Sequence, residues 1–257
     1  MTVLACGMAT FRSQARALRD LLKHPSWRGE CPICEAPTRF IAYGEWWRDD
    51  LLCARCRSLP RERALMAAIE TMAPDWRRLA VHESSPADRS VSAKLKAECP
   101  GYIATQYDTS VPFGARHPQG YRSENLEAQT FPDAVFDLVL TQDVFEHLFD
   151  PAAAIREIAR TLKPGGLYVM TVPIVNKDGP TVRRAELGSG QVIHHLPAEF
   201  HGNPIDASGS LVTIDWGFDI ASTLTEASGM ETEILPFDDR SRGLVAEYME
   251  VVACRKP

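Results

Sequence analysis

At roughly 150 residues per domain, a chain of 257 residues is long enough for one domain with an appendage or for two small ones. Its 45% hydrophobic and 24% charged residues lie near globular averages, which excludes a disordered or fibrous chain, and no stretch approaches the roughly 20 uninterrupted apolar residues of a bilayer span. A formal net charge of -6 argues against a general polyanion-binding surface, because neutralising several phosphates takes an excess of Lys and Arg.

The chain begins with a short apolar run that no basic residue precedes, and Arg12, Arg16 and Arg19 follow it. That order is wrong for a secretory signal, so a cytoplasmic protein with no membrane partner is expected. Phe11, Ala15, Leu18, Leu21 and Leu22 recur at helical spacing and predict an amphipathic helix over residues 9–23, ending before Pro25. From Gly29 to Leu59 the period disappears and Cys, Pro, Gly, Trp and Arg dominate, so this segment must be held by something other than an apolar core.

Cysteine spacing names the substitute. Cys31-Pro-Ile-Cys34 and Cys53-Ala-Arg-Cys56 form two C-x2-C pairs with eighteen residues between them, the spacing of a tetrahedral four-thiolate zinc site. Four protein ligands leave no open position, so a structural zinc is expected. The other three of seven cysteines, Cys6, Cys99 and Cys254, lie apart, the last two in helix and strand context that suits buried inert thiols. Eight Arg face eight Asp and Glu between Glu30 and Arg78, so the ribbon carries no excess positive charge for nucleic acid. Phe40, Tyr43, Trp46 and Trp47 could pack over the metal, line a substrate entrance or stack on bases.

Pro60 to Met72 predicts a helix with Ser58 as its cap and Leu65, Met66, Ile69 and Met72 on its buried face, joining residues 1–73 to a second unit, 74–257. Beyond Pro74, short apolar runs alternate with helical stretches. Strands are predicted at Leu79 to His82, Tyr102 to Gln106, Phe136 to Thr141 and Leu167 to Val172, and helices at Arg89 to Glu98 and Asp150 to Leu162. The last helix has Asp150 as cap and Pro151 at its first position, and Lys163-Pro-Gly-Gly stops it. This alternation implies crossover units and a doubly wound, mostly parallel α/β sheet covered on both faces. The helix Ile220 to Ser228, closed by Gly229, precedes strands at Thr232 to Leu235 and Tyr248 to Cys254 that have no helix between them. These should form a terminal antiparallel hairpin at a sheet edge.

The run Phe131-Pro-Asp-Ala-Val-Phe-Asp-Leu-Val-Leu-Thr-Gln-Asp-Val-Phe-Glu-His147-Leu, the capped helix after it, Leu162-Lys-Pro-Gly-Gly-Leu-Tyr-Val-Met170 and Glu250-Val-Val-Ala-Cys-Arg-Lys-Pro257 resemble the class I S-adenosylmethionine-dependent methyltransferases over roughly residues 76–257. With the ribbon and the segments His195 to Ile205, Gly209 to Leu211 and Trp216 to Asp219, the chain looks like a bacterial subgroup of zinc-ribbon methyltransferases. The resemblance implies a Rossmann-like methyltransferase domain and S-adenosylmethionine as cofactor, bound where the strand order reverses. It implies an acidic residue after the first strand, here Glu83, followed by a glycine-rich turn, where this chain has Ser84, Ser85 and Pro86. Serine still allows close backbone approach, but glycine's conformations are expected to be lost and Pro86 removes a donor. By the same resemblance Asp108, or Gln106 if the strand ends earlier, would hold the ribose hydroxyls, Asn125 and Leu126 the adenine, and Gln142, Asp143 and His147 the surroundings of the methionine portion.

Methyl transfer from a sulfonium is an in-line displacement, so the protein must align the partners and deprotonate a hydroxyl or protonated amine. His194, His195, Glu199 and His201 fall after the fifth strand, where the crevice opens, and His201 or His195 is the expected base. A rigid proline-bearing loop braced by these histidines, or a second metal site, is the structural alternative. The expected partner is a small-molecule methyl acceptor, a sugar or biosynthetic intermediate, and not nucleic acid. Two other classes stay open: an RNA methyltransferase whose ribbon grips RNA, and a non-catalytic binding protein with a degenerate cofactor site.

Overall fold

The computed structural model describes residues 23–203 and 207–257; the expected N-terminal helix and Cys6 lie outside the described residues. The described chain opens with a small antiparallel sheet of β1 (Ser26–Cys31), β2 (Ala36–Ala42) and β3 (Leu51–Cys53), with a single helical turn, α1 (Trp47–Asp50), between the last two. Each C-x2-C turn closes on a left-handed residue one position past its second cysteine, Glu35 at φ +47° and Arg57 at φ +61°. Neither is glycine, so both knuckles hold a backbone that L-residues adopt only at a cost of roughly 1–2 kcal/mol each. Gly29 lies so close to the Ser241 carbonyl that a side chain there would collide with it, and this contact joins β1 to the distant Arg240–Arg242 turn.

Helix α2 (Pro60–Met72) follows. Its cap is Leu59 and not Ser58: the Leu59 N–H donates to Glu62 Oε2 at 2.7 Å, while the Ser58 hydroxyl sits 3.2 Å from Cys56 Sγ and 3.5 Å from Cys31 Sγ. Ser58 is drawn to the sulfurs, and Glu62 takes over the free amide.

The second part is built on a seven-stranded sheet in the order β15-β16-β8-β7-β4-β5-β6. Here β4 is Val81–Ser84, β5 Tyr102–Gln106, β6 Arg122–Ser123, β7 Phe136–Gln142, β8 Leu162–Thr171, β15 Glu231–Leu235 and β16 Val251–Arg255. Strands β4 to β8 are mutually parallel, and β16 is antiparallel to both β8 and β15. This is the doubly wound sheet with a terminal antiparallel hairpin that the sequence predicts. Boundaries moved where local sequence is ambiguous. β4 starts two residues later than expected and runs on to Ser84; the helix Pro151–Thr161 does stop before Lys163-Pro-Gly-Gly, but β8 begins at Leu162, so that segment is also a bulged strand entry.

Alternation along the strands sorts the core into two faces. Leu138 and Leu140 of β7, Leu167 and Val169 of β8 and Val251 and Ala253 of β16 pack with α2 and α3 (Ser90–Glu98). Val139, Tyr168, Met170, Val252 and Cys254 pack on the opposite face with α4 (Pro151–Thr161) and α5 (Ile220–Ser228). The first cluster also takes in Phe40 and Leu51 of the small sheet, so α2 packs between that sheet and the large one. Asp150 caps α4 by accepting the Ala153 N–H at 2.8 Å, and Gly229 closes α5 at φ +73°, both as expected.

Between β8 and α5 the chain forms short ladders that sit beyond the sheet: β9 (Val182–Arg183) with β14 (Ile214–Asp215), β10 (Ala185–Gly188) with β11 (Gln191–His194), and β12 (Phe200–His201) with β13 (Ser210–Leu211). Arg184 fastens them through Asp215 at 2.7 Å and Glu199 at 3.1 Å. Among the described residues no helix is long and apolar enough to cross a membrane.

Candidate active site

Winding reverses between β4 and β7, so their carboxyl ends open a crevice of the kind where doubly wound sheets bind ligands. Register brings Ser84, Thr105 and Thr141 level, and Gln142 beside Thr171. In the loop after β4, Ser85, Asp88 and Ser90 take φ values of +59°, +50° and +51°. The expectation that glycine conformations are lost here is therefore corrected. The loop keeps the left-handed backbone without glycine, at roughly 1–3 kcal/mol of strain per residue.

Glu83 is fully buried under that loop. Its carboxylate accepts hydrogen bonds from Tyr102 Oη at 2.6 Å, Ser92 Oγ at 2.7 Å and Gln142 Nε2 at 2.7 Å. Burial pushes its carboxyl up, and these three donors pull it back. Glu83 thus ties β5, α3 and the end of β7 together beneath the crevice floor. Gln106 Nε2 donates to the Pro86 carbonyl at 3.2 Å, bracing the same loop from β5. Asp108, beyond β5, accepts from the Ser110 N–H at 2.8 Å and from Tyr121 Oη, and these bonds hold its carboxyl down at about 2. Asn125 Oδ1 accepts the Glu127 N–H at 3.0 Å, an Asx-turn that leaves Leu126 buried.

Asp143 turns out of β7 at φ +50°, and its carboxylate meets Arg48 at 2.9 Å and Arg61 at 2.7 Å. Arg48 comes from the single turn α1 and Arg61 from α2, so elements that precede the large sheet in the chain reach the crevice rim through two guanidiniums. Burial alone would raise the Asp143 carboxyl, but Arg48 and Arg61 hold it below the usual carboxylate range.

Beside this clasp, Glu146 and His147 form a 3-10 turn pinned from above. The Glu146 carbonyl accepts the Thr213 N–H at 2.8 Å, and His147 Nδ1 donates to the Leu211 carbonyl at 2.9 Å. His147 Nε2 and His201 Nδ1 lie 3.8 Å and 3.9 Å from Glu146 Oε1, and the two imidazoles meet edge to face at 5.1 Å. Glu146 is 1% exposed and neither carboxylate oxygen has a hydrogen-bond partner. Burial, with Asp143 nearby, pushes its carboxyl up to about 8. Of the expected histidines, His201 reaches this cluster; His195 is exposed and faces Glu186 at 3.6 Å on the β10–β11 hairpin. The sequence pattern does not single out Glu146, whose one local signal is its place beside His147.

Among the described residues a second group of metal-type ligands converges in the ribbon. Cys31 Sγ and Cys56 Sγ are 3.7 Å apart and Cys34 Sγ and Cys53 Sγ 3.9 Å apart. Sulfurs about 2.3 Å from a shared tetrahedral zinc stand about 3.8 Å from one another, so the donor set fits that ion, and a disulfide at about 2.05 Å does not. The Arg55 N–H donates to Cys53 Sγ at 3.4 Å, a backbone amide facing the sulfur as the knuckle requires. Phe40 is buried in the core and Trp47 meets Trp27 in a tilted ring contact at 5.5 Å, whereas Trp46 stays 43% exposed beside Tyr248 near the rim.

Residues 93–170, from within α3 to the end of β8, match the family model described as a methyltransferase domain. A ubiquinone biosynthesis O-methyltransferase of Caulobacter vibrioides is 36% identical over 83 residues, 32% of each chain. A probable S-adenosylmethionine-dependent methyltransferase of Mycolicibacterium smegmatis is 38% identical over 74 residues, 28% of this chain and 29% of that one. The chain thus spans about a third of the length of these curated relatives. An S-adenosylmethionine-dependent methyltransferase of Mesorhizobium loti, known from its crystal structure, covers 75% of this chain at 16% identity, with a TM-score of 0.49.

Proposed function

We propose that the protein is an S-adenosylmethionine-dependent methyltransferase that acts on a hydroxyl or amine of a small polar molecule, a sugar or biosynthetic intermediate. The observation that carries this reading is the left-handed, glycine-free loop Ser85–Ser90 over the switch point, inside a sheet whose central segment matches a methyltransferase domain. The O-methyltransferase names of the curated relatives favour a hydroxyl acceptor.

S-adenosylmethionine would supply the activated methyl group. Asp108, ionised through the neutral range, suits the ribose hydroxyls, with Gln106 beside it; Asn125 and Leu126 suit the adenine; Gln142 and His147 border the methionine end. Glu83 acts from below, and Ser84 from the strand end, by shaping the loop that approaches the cofactor. The acceptor's proton is taken at the histidine cluster over the crevice, with His201 favoured over His195 because it alone of the two borders Glu146 and His147. The ribbon in residues 1–73 holds one structural zinc on Cys31, Cys34, Cys53 and Cys56, and supports the catalytic unit 74–257 through Arg48 and Arg61.

Calorimetric titration with S-adenosylmethionine tests the reading. One site per chain is expected, and Asp108→Ala should weaken it by roughly tenfold or more through the loss of its charge-assisted hydrogen bonds. No heat of binding at millimolar cofactor would end the enzyme reading.

A further inference from the structure

Glu146, His147 and His201 face one another at the mouth of the crevice with no hydrogen bond among them. The Nδ1–H of His147 is committed to the Leu211 carbonyl at 2.9 Å, which leaves the Nε2 lone pair turned toward Glu146 Oε1. His201 presents Nδ1 to the same oxygen, while its Nε2 faces the Glu199 carboxylate at 3.7 Å. Glu146 is buried with both oxygens unpartnered, a costly arrangement for a carboxylate unless a proton or a bound cation completes it. Neighbouring cations do not serve. Arg48 and Arg61 are spent on Asp143, and Arg184 on Asp215 and Glu199.

Spacing decides what completes it. At 3.8 Å and 3.9 Å the N···O separations are too long for a shared hydrogen bond. Two ligands held about 2.1 Å from one ion stand about 3.0–4.2 Å apart, depending on the angle between them. His147 already carries the outer hydrogen bond that a ligating histidine needs, to the Leu211 carbonyl, and the Glu199 carboxylate, 3.7 Å from His201 Nε2, is the group that can supply the second once the ring closes on an ion.

We propose that Glu146 Oε1, His147 Nε2 and His201 Nδ1 form a binding site for a divalent first-row transition cation, separate from the four-cysteine site. Three protein ligands leave coordination positions open, as in catalytic rather than structural centres. Insofar as the methyltransferase reading holds, a hydroxyl of the acceptor occupies one of them. The cation then lowers that hydroxyl's pKa so that its proton is released to water at the open mouth of the crevice, and His201 serves as a ligand in place of the free-base role proposed for it. The class of acceptor this selects is one with an oxygen donor, and amines without a neighbouring oxygen are poor substrates.

The test is titration of the full-length, zinc-loaded protein with Co(II) alone, followed by visible absorption, without cofactor or acceptor. One equivalent should bind with the weak ligand-field bands of nitrogen and oxygen ligands and no thiolate charge-transfer band. His201→Ala, on a half-exposed strand, and Glu146→Gln should each abolish or weaken this by roughly hundredfold, and Glu199→Gln by roughly tenfold, the usual scale of an outer-shell loss. His201→Ala and Glu199→Gln alter exposed side chains, so they remain informative if Glu146→Gln does not fold. No Co(II) uptake beyond the cysteines, or uptake that His201→Ala and Glu199→Gln leave unchanged, overturns the site. Calorimetry with S-adenosylmethionine on the same samples separates the two ideas: cobalt binding without cofactor binding sinks the methyltransferase and spares the metal site, and the reverse result does the opposite.

Discussion

Replacing Asp143 by Ala removes the one anion shared by Arg48 and Arg61, whose side chains are 8% and 17% exposed. Breaking a buried ion pair from one side costs about 3–5 kcal/mol, because it strands uncompensated charge. Here the lower end applies, since Arg61 keeps Asp49 at 2.6 Å and Arg48 keeps the Tyr248 carbonyl. A loss of about 3 kcal/mol is therefore expected, or about 6–12 °C in the melting temperature at the scale of 2–4 °C per kcal/mol for a chain of this size. Calorimetric or urea unfolding of the zinc-loaded protein measures it. Arg48→Met alone leaves Asp143 with Arg61 and should cost less, and the double variant should fall short of the sum by about 1–2 kcal/mol. If Asp143→Ala loses under about 1 kcal/mol, or the two substitutions simply add, the clasp between ribbon and crevice rim is not energetically real.

Three further outcomes are expected. His82 is buried between Phe131 and Phe136, and burial first, then the Arg122 charge, pushes it down to about 3. Between pH 6.5 and that value the unfolded chain binds up to one proton more than the native one, so native stability decreases as the pH is lowered, by about 1.4 kcal/mol per unit. His82→Phe should flatten the urea-derived pH slope by that amount over pH 6 to 4, and an unchanged slope contradicts the neutral imidazole. At Ser85, φ +59°, glycine should be neutral or stabilise by up to about 1 kcal/mol, while valine costs roughly 1–2 kcal/mol. Equal melting temperatures for the two variants would disprove the strained loop. Elemental analysis should find one zinc per chain, and stripping it with a strong chelator should unfold the ribbon and lower overall stability; a metal-free protein that melts unchanged would remove the zinc.

Much of this protein is legible in its sequence, because the signals are local. The strand and helix order from β4 to β16 follows from apolar runs, the Asp150-Pro151 cap and the Gly229 stop, each decided by residues a few positions apart. Convergence of four cysteines is likewise written in two C-x2-C pairs, which turn their sulfurs inward by local backbone geometry. The Ser58 cap failed for a tertiary reason: the sulfurs of Cys31 and Cys56 drew its hydroxyl away. The glycine-free loop misled because backbone conformation was inferred from residue type, whereas the folded loop is tied to β5 by the Ser85 N–H on the Thr105 carbonyl and by Gln106 on the Pro86 carbonyl, and keeps Ser85, Asp88 and Ser90 left-handed.

Only the folded chain decided which distant charges meet. Arg48 and Asp143 are 95 positions apart, and Glu146 and His201 belong to a sheet-end turn and a late hairpin. No period or spacing encodes such pairs, since they depend on how α2 and the Ser210–Asp215 segment are laid across the crevice by the cores beneath them. Composition and pattern thus determined the scaffold and its four-cysteine cluster, and long-range packing determined the buried carboxyl, its two imidazoles and the arginines beside them.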